Sequence, residues 1–264
     1  MKKKIVIIGG GNLGTAIAEG LLSSQFSAAK DIIVTRRALN AIQYLKEKGI
    51  MVSDDNPGSV AVSDVIILAV KPFQVKEVLT EIKHRLTEDH LLISVATGIM
   101  IRDMQEWTGI NLPLFRAMPN TAIAIGESMT CLSAANASVV QIKYVNELFN
   151  TVGKVVTIEE KLMDAATILG ACGTAFAMRY IRANIQGGIE IGFDAATANL
   201  IAAQTVKGAS ELLLQRKTHP EHEIDKVTTP RGCTIAGLNE MEHQGFSSSL
   251  IKGIIASYDK IAKD

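Results

Sequence analysis

Apolar residues fall into two regimes along the chain. In the first part they come in short runs at Ile5–Ile8, Asp31–Val34, Ile50–Val52, Asp64–Val70, His90–Val95 and, interrupted by Arg116, Leu114–Met118. Runs of branched residues without polar alternation are what parallel strands covered on both faces require. Helix-like stretches separate them, among them one through Tyr44-Leu45 that ends near Gly49. Asn56-Pro57-Gly58 reads as a turn, and Pro72 suits the first position of a helix. The alternation predicts a doubly wound α/β domain with a mainly parallel sheet over residues 1–157.

After that point the strand pattern disappears. Thr157-Ile-Glu-Glu160 has the form of a capping box opening a helix, as does Thr218-His-Pro-Glu221 with Pro220 in its first turn. Asp164–Ile191 is rich in alanine and glycine, and Ala195–Leu214 carries a long helical pattern. Two more helices are predicted over Thr234–His243 and Ser247–Lys263. Residues 158–264 are therefore expected to form an all-α helical dimerisation domain, pairing with a second copy through interlocked helices rich in small residues.

The first run leads into Gly9-Gly-Gly-Asn-Leu-Gly14 and then an alanine-rich helical pattern. Gly9, Gly11 and Gly14 have the G-x-G-x-x-G spacing of a dinucleotide fingerprint, and the strand-turn-helix context favours a Rossmann-like nucleotide site over a bare turn. Gly9 lets the chain leave the strand in a conformation that a Cβ would forbid. Gly11 allows close approach of a pyrophosphate, and Gly14 allows the helix to lie against the sheet. The N–H groups of Asn12, Leu13 and Gly14 face the anion at the positive helix end.

The second run ends in Thr35-Arg36-Arg37, where an NAD site carries an acid for the ribose hydroxyls. Two guanidinium groups in that place suit a 2′-phosphate, so NADPH is expected ahead of NADH; the alternative is that both arginines are solvated residues opening the next helix. Ala69-Val70-Lys71-Pro72 and Ala96-Thr97-Gly98 lie at carboxyl ends of parallel strands, which line the ligand crevice of such sheets. Pro119-Asn120-Thr121 fits either a loop holding a ligand amide or a structural turn. In the second part, Val227-Thr-Thr-Pro-Arg-Gly-Cys-Thr-Ile-Ala-Gly-Leu238 combines hydroxyls, a tight turn and a helix start. That is either a carboxylate cradle or a plain helix cap.

Composition narrows the partners. With 27 basic and 27 acidic residues and 5% aromatics, neither nucleic acid nor an acidic membrane surface is an expected partner. The opening apolar run is too short for a signal sequence, and no stretch is long enough to span a membrane. Cys131, Cys172 and Cys233 are odd in number and without metal spacing, so reduced thiols and a cytoplasmic location are expected. His219 and His222 are three apart but lack a third ligand, so exposure or capping is favoured and no metal is expected.

Six segments in order resemble the pyrroline-5-carboxylate reductase family across essentially the whole chain. They are IGGGNLGTAI at the start, AVKP at Ala69–Pro72, RAMPNT at Arg116–Thr121, DAATILGACGTAF at Asp164–Phe176, AAQTVKGA at Ala202–Ala209 and VTTPRGCTIAGL at Val227–Leu238. The resemblance implies NADPH-dependent reduction of the cyclic imine 1-pyrroline-5-carboxylate to L-proline, with NADH as a second cofactor and a homodimer or an assembly of dimers. It places Gly9, Gly11, Asn12, Leu13, Gly14, Thr35, Arg36, Arg37, Asn56, Ala69, Val70, Lys71, Pro72 and Ala96 at the cofactor. Thr229, Arg231, Gly232, Cys233 and Thr234 would hold the substrate, partly with the partner's helices, and Thr234 would be the catalytic residue beside the ring nitrogen.

The chain departs from the family pattern in three places. Gly170-Ala-Cys-Gly-Thr-Ala175 stands where Ser-Gly-Ser-Gly-Pro-Ala is usual, Arg231 where glycine is usual, and Ala122 where proline is usual. A β-hydroxyacid dehydrogenase is an alternative of similar plan, but Arg179 occupies the place of its catalytic lysine, and a guanidinium cannot shuttle the proton. A non-catalytic NADP-sensing regulator is a second alternative, which leaves Val227–Leu238 without a purpose.

Overall fold

The computed structural model describes residues 3–261, which divide into two compact units, residues 3–172 and 173–261. The first unit is built on one eight-stranded sheet in the order β3-β2-β1-β4-β5-β6-β7-β8. Its strands are β1 (Ile5–Ile8), β2 (Ile32–Thr35), β3 (Met51–Ser53), β4 (Val65–Leu68), β5 (Leu91–Ser94), β6 (Leu114–Met118), β7 (Ser128–Ala135) and β8 (Gly153–Thr157). Strands β1 to β6 are parallel. β7 runs antiparallel to β6, and β8 parallel to β7. The helices of this unit are α1 (Asn12–Ser23), α2 (Tyr44–Glu47), α3 (Asn56–Ala61), α4 (Pro72–Ile82), α5 (Ile101–Thr108), α6 (Val139–Asn150) and α7 (Met163–Ala166).

The unbroken apolar runs follow from burial on both sheet faces. Ile5 and Ile7 belong to one core with Ile17 and Phe149, while Val6 and Ile8 belong to another with Val75 and Met104. One strand thus feeds both cores on alternate residues, and each fully buried isoleucine contributes about 1.5–3 kcal/mol. In register, Ile7 lies between Val34 of β2 and Ile67 of β4. The strand order reverses direction at β1, between β2 and β4, which opens the ligand crevice at their carboxyl ends.

Several expected local features are built differently. Asn56-Pro57-Gly58 is the first turn of α3, because Asp55 caps it by accepting from the Gly58 N–H at 2.9 Å. Thr157 ends β8 and caps nothing; Glu159 and Glu160 begin a short 3₁₀ turn instead. Glu160 is drawn to a long-range partner: it lies 3.0 Å from Arg116 Nη1 and accepts from the Ile101 N–H at 2.7 Å. The predicted helix over Asp164–Ile191 is α7, a π-helical turn at Thr167–Cys172, and then α8. The Asn120 side-chain amide donates to the Gly170 carbonyl inside that π turn at 3.1 Å.

The second unit is helical: α8 (Gly173–Glu190), α9 (Ala195–Arg216), α10 (Pro220–Lys226), α11 (Cys233–His243) and α12 (Phe246–Ile261). Ala262 and Lys263 of the last predicted helix lie outside the described residues. His219, rather than Thr218, caps α10, its Nδ1 accepting from the Glu221 N–H, while Pro220 does occupy the first turn. Thr218 instead donates to Glu223, whose carboxyl is held down to about 2 by Lys226 and Thr218. The core this unit makes within itself is small, centred on Ile185, Ala198 and Ala202. Ile191, Leu200, Leu214, Ile251 and Ile255 are each more than half exposed.

Candidate functional site

The glycine loop after β1 is fixed by the neighbouring strands. Gly9 and Gly10 both donate their N–H groups to the Thr35 carbonyl, at 3.0 and 2.8 Å. Gly9 has φ +113°, and a Cβ there would lie 2.5 Å from the Ala69 carbonyl oxygen. A Cβ on Gly14 would lie 2.0 Å from the Gly9 carbonyl oxygen, so this glycine lets α1 close onto the loop. Gly11 differs: it has an ordinary extended backbone, φ −86°, and a Cβ there would meet nothing within 4 Å. Packing therefore demands glycine at positions 9 and 14, whereas at 11 only something outside the chain would use the space.

The first helical bond of α1 runs from the Thr15 N–H to the Gly11 carbonyl at 2.9 Å. The N–H groups of Asn12, Leu13 and Gly14 precede it and have no intrahelical acceptor. They point out of the positive end of a 12-residue helix. This donor set, together with the open direction at Gly11, fits a pyrophosphate.

Gly11, Asn12 and Leu13 border a cavity of about 740 Å³, within the usual range of small-molecule sites. All the residues expected at the cofactor line it except Gly14, which is buried behind the loop. They come from five strand ends: the β1–α1 loop, Thr35 to Arg37 after β2, Asn56 after β3, Ala69 to Pro72 after β4, and Ala96 after β5. Pro72 is the first residue of α4, and Gln74 closes that end by accepting from the Lys71 N–H at 3.3 Å. Lys71 itself is exposed.

The β2 end carries the polar contacts. Thr35, buried, donates through Oγ1 to Asn56 Oδ1 at 2.6 Å, and Asn56 Nδ2 donates to Glu81 Oε2 at 3.0 Å. Arg36 is folded back, its Nη1 donating to the Gly10 carbonyl at 2.6 Å. Arg37 Nη2 pairs with Glu77 Oε1 at 2.7 Å.

The cavity wall also includes Thr97, expected at the ligand end of β5, and residues not expected there: Asp54, Gln74, Val78, Val95 and Thr121. Thr121 belongs to the Pro119-Asn120-Thr121 loop. Asp54 and Gln74 carry no signal in the sequence, because their place depends on how the sheet sets β3 beside β2 and β4, with α4 after it, beside β1.

In the other unit, Thr229 to Thr234 form one turn and the start of α11. The Gly232 N–H donates to the Thr229 carbonyl at 2.9 Å, and a Cβ on Gly232 would lie 2.5 Å from Thr229 Oγ1. Arg231 takes a left-handed backbone, φ +60°, and is exposed. Cys233 and Thr234 open an 11-residue helix, so their N–H groups are free of intrahelical acceptors. The Thr228 hydroxyl is engaged with the Ile224 carbonyl at 2.8 Å. Among the described residues no cluster of side chains has the composition of a metal site, and no helix is long and apolar enough to cross a membrane.

Comparison with known proteins agrees with both halves. Residues 4–98 match a family model described as NADP oxidoreductase, coenzyme F420-dependent, and residues 160–264 match one described as pyrroline-5-carboxylate reductase dimerisation. Pyrroline-5-carboxylate reductase 2 of Dictyostelium discoideum is 44% identical over 99% of this chain and 93% of that protein. The chain belongs to the pyrroline-5-carboxylate reductase family. Pyrroline-5-carboxylate reductase 1 of the same organism is 46% identical over 98% of this chain, which spans about half, 49%, of that longer relative. Among solved structures, a pyrroline carboxylate reductase of Plasmodium falciparum with NADP bound superimposes with a TM-score of 0.89 at 27% identity, covering 99% of this chain and 98% of that one. A pyrroline-5-carboxylate reductase of Coxiella burnetii reaches a TM-score of 0.92 at 29% identity, covering 100% and 98%. Membership of the pyrroline-5-carboxylate reductase family accounts for the two-part plan: a Rossmann-like sheet unit followed by a helical dimerisation unit.

Proposed function

We propose that this chain catalyses the NADPH-dependent reduction of 1-pyrroline-5-carboxylate to L-proline, the last step of proline biosynthesis. The observation that carries the reading is the β1–α1 cradle. Its free N–H groups and its unclashed Gly11 suit a dinucleotide, in a chain 44% identical along its length to a pyrroline-5-carboxylate reductase. Residues 1–157 serve the cofactor, and residues 158–264 serve the substrate and the dimer.

NADPH, when bound, supplies the hydride. Asn12, Leu13 and Gly14 hold the pyrophosphate through backbone N–H groups, with Gly9 and Gly11 allowing its approach. Thr35, Arg36, Arg37 and Asn56 hold the adenosine ribose and its 2′-phosphate, and Ala69, Val70, Lys71, Pro72 and Ala96 form the wall along the strand ends. The substrate carboxylate is received by the amides following Pro230, with Thr229, Arg231, Gly232 and Cys233 shaping the turn. Thr234 Oγ1 orients the ring nitrogen. A cyclic imine is basic enough to arrive protonated, so a site of hydroxyls and amides suffices without a strong acid. Catalysis then rests on placement and exclusion of water.

The exposed apolar side chains of the helical unit, among them Ile191, Leu200 and Leu214, are covered in a homodimer. The enzyme works in the cytoplasm, where Cys131, Cys172 and Cys233 stay reduced.

Initial-rate kinetics with the cyclic imine and each nicotinamide nucleotide test the reading. Saturable oxidation of NADPH, with NADH used less well, is the expected result. Binding of NADPH without oxidation in the presence of the imine would instead make the protein a sensor.

A further inference from the structure

The end of β2 has no acidic residue in sequence, yet the fold brings one there. Glu77 lies in the middle of α4 and pairs with Arg37 at 2.7 Å. Arg36 is committed to a neutral acceptor, the Gly10 carbonyl. Arg37 is therefore the cavity guanidinium whose existing partner is an anion. Glu77 does not itself line the cavity, and its side chain is 64% exposed. A dianionic 2′-phosphate that engages Arg37 has to share it with this carboxylate or displace it. A nucleotide with a bare ribose meets neither cost.

We propose that Glu77 is a specificity-determining residue, acting through Arg37 to hold the preference for NADPH over NADH below what the arginine alone would give. The inference rests on the cofactor reading above and adds a regulator of its selectivity. A positioning role for Glu77, in which it preorganises Arg37 for the phosphate, has the opposite sign, so the two roles are separable by experiment. Asp54 also borders the cavity but has no ion pair with either arginine among the described residues. Its charge acts on any nucleotide without passing through Arg37.

The test is direct binding of NADPH and of NADH to the full chain, followed by nicotinamide fluorescence, in the unaltered protein and in Glu77→Gln. The same pair of measurements is repeated in an Arg37→Met background. An exposed ion pair is worth a few tenths to one kcal/mol, so Glu77→Gln is expected to tighten NADPH by about two- to fivefold while NADH changes little. The gain disappears in the Arg37→Met background and shrinks at high ionic strength. An unchanged or lowered NADPH-to-NADH affinity ratio overturns the inference, as does a gain that persists without Arg37. If the unaltered chain binds neither nucleotide, the cofactor reading itself fails; if it binds both and the ratio does not move, only the role of Glu77 falls.

Discussion

Alanine substitutions at Gly11 and Gly14 separate what the loop needs for folding from what it needs for the cofactor. At Gly14 the added methyl would sit 2.0 Å from the Gly9 carbonyl oxygen, which is backbone and cannot swing aside. α1 has to shift against the sheet, at an overpacking cost of about 1–3 kcal/mol. The better helix propensity of alanine returns up to about 1 kcal/mol of this. Gly14→Ala is thus expected to lower the denaturation midpoint by several degrees. At Gly11 the methyl meets nothing, and φ −86° is open to any residue. Alanine there reduces the freedom of the unfolded chain, a gain of about 0.4–1 kcal/mol, and is a poorer cap than glycine by a similar amount. Stability should therefore change little. The methyl instead occupies the approach of the pyrophosphate, so NADPH affinity should fall tenfold or more, an amount equal to about 1.4 kcal/mol. Thermal denaturation and nucleotide titration of both variants form the assay. If Gly11→Ala binds NADPH as the unaltered protein does, the pyrophosphate does not lie against this loop.

Three further outcomes follow from particular contacts. Thr234→Ala should cut turnover with the cyclic imine far more than it weakens NADPH binding; unchanged turnover refutes the role of its hydroxyl. Glu160→Leu removes the carboxylate 3.0 Å from Arg116, a side chain only 3% exposed, and leaves the buried guanidinium with Asp164 alone, 3.9 Å from Nη2. Urea denaturation should show a loss of up to about 3 kcal/mol, and a loss near zero would mean that Asp164 alone compensates Arg116. His90 is buried, accepts from the Thr87 N–H at 2.9 Å and faces the Ser63 carbonyl through Nε2 at 3.1 Å. Desolvation holds its pKa below the ordinary 6.5, so the unfolded chain takes up this proton first. Its contribution is complete above about pH 6.5 and is lost as the pH falls below that value toward the folded pKa. Stability measured against pH should show that loss, and His90→Gln should flatten it.

Much of the fold is legible in the sequence where burial alone dictates it. The runs at Ile5–Ile8 and Asp64–Val70 announce central strands because both of their faces feed cores. β7 passed unread because Ser-Met-Thr-Cys-Leu-Ser-Ala-Ala has no apolar run; its hydroxyls at Ser128 and Thr130 are buried and lie 3.4 Å from each other. The two misplaced caps share one cause. Thr157 is held in β8 by pairing with Leu132, and Thr218 is bonded to Glu223, and neither partner is visible from the local pattern. The cofactor loop was readable because its chemistry is local: three glycines, a strand before and a helix after. The carboxylate at Arg37 was not, since Glu77 lies 40 residues on and meets it only in the folded chain.

The account depends most on hydride transfer to the imine carbon. Its most direct test is turnover with NADPH carrying deuterium on the reactive face of nicotinamide C4. Hydride transfer to the imine carbon gives proline labelled at the ring methylene next to nitrogen, one deuterium for each nucleotide oxidised. Unlabelled proline, or oxidation of the nucleotide without proline, would contradict it.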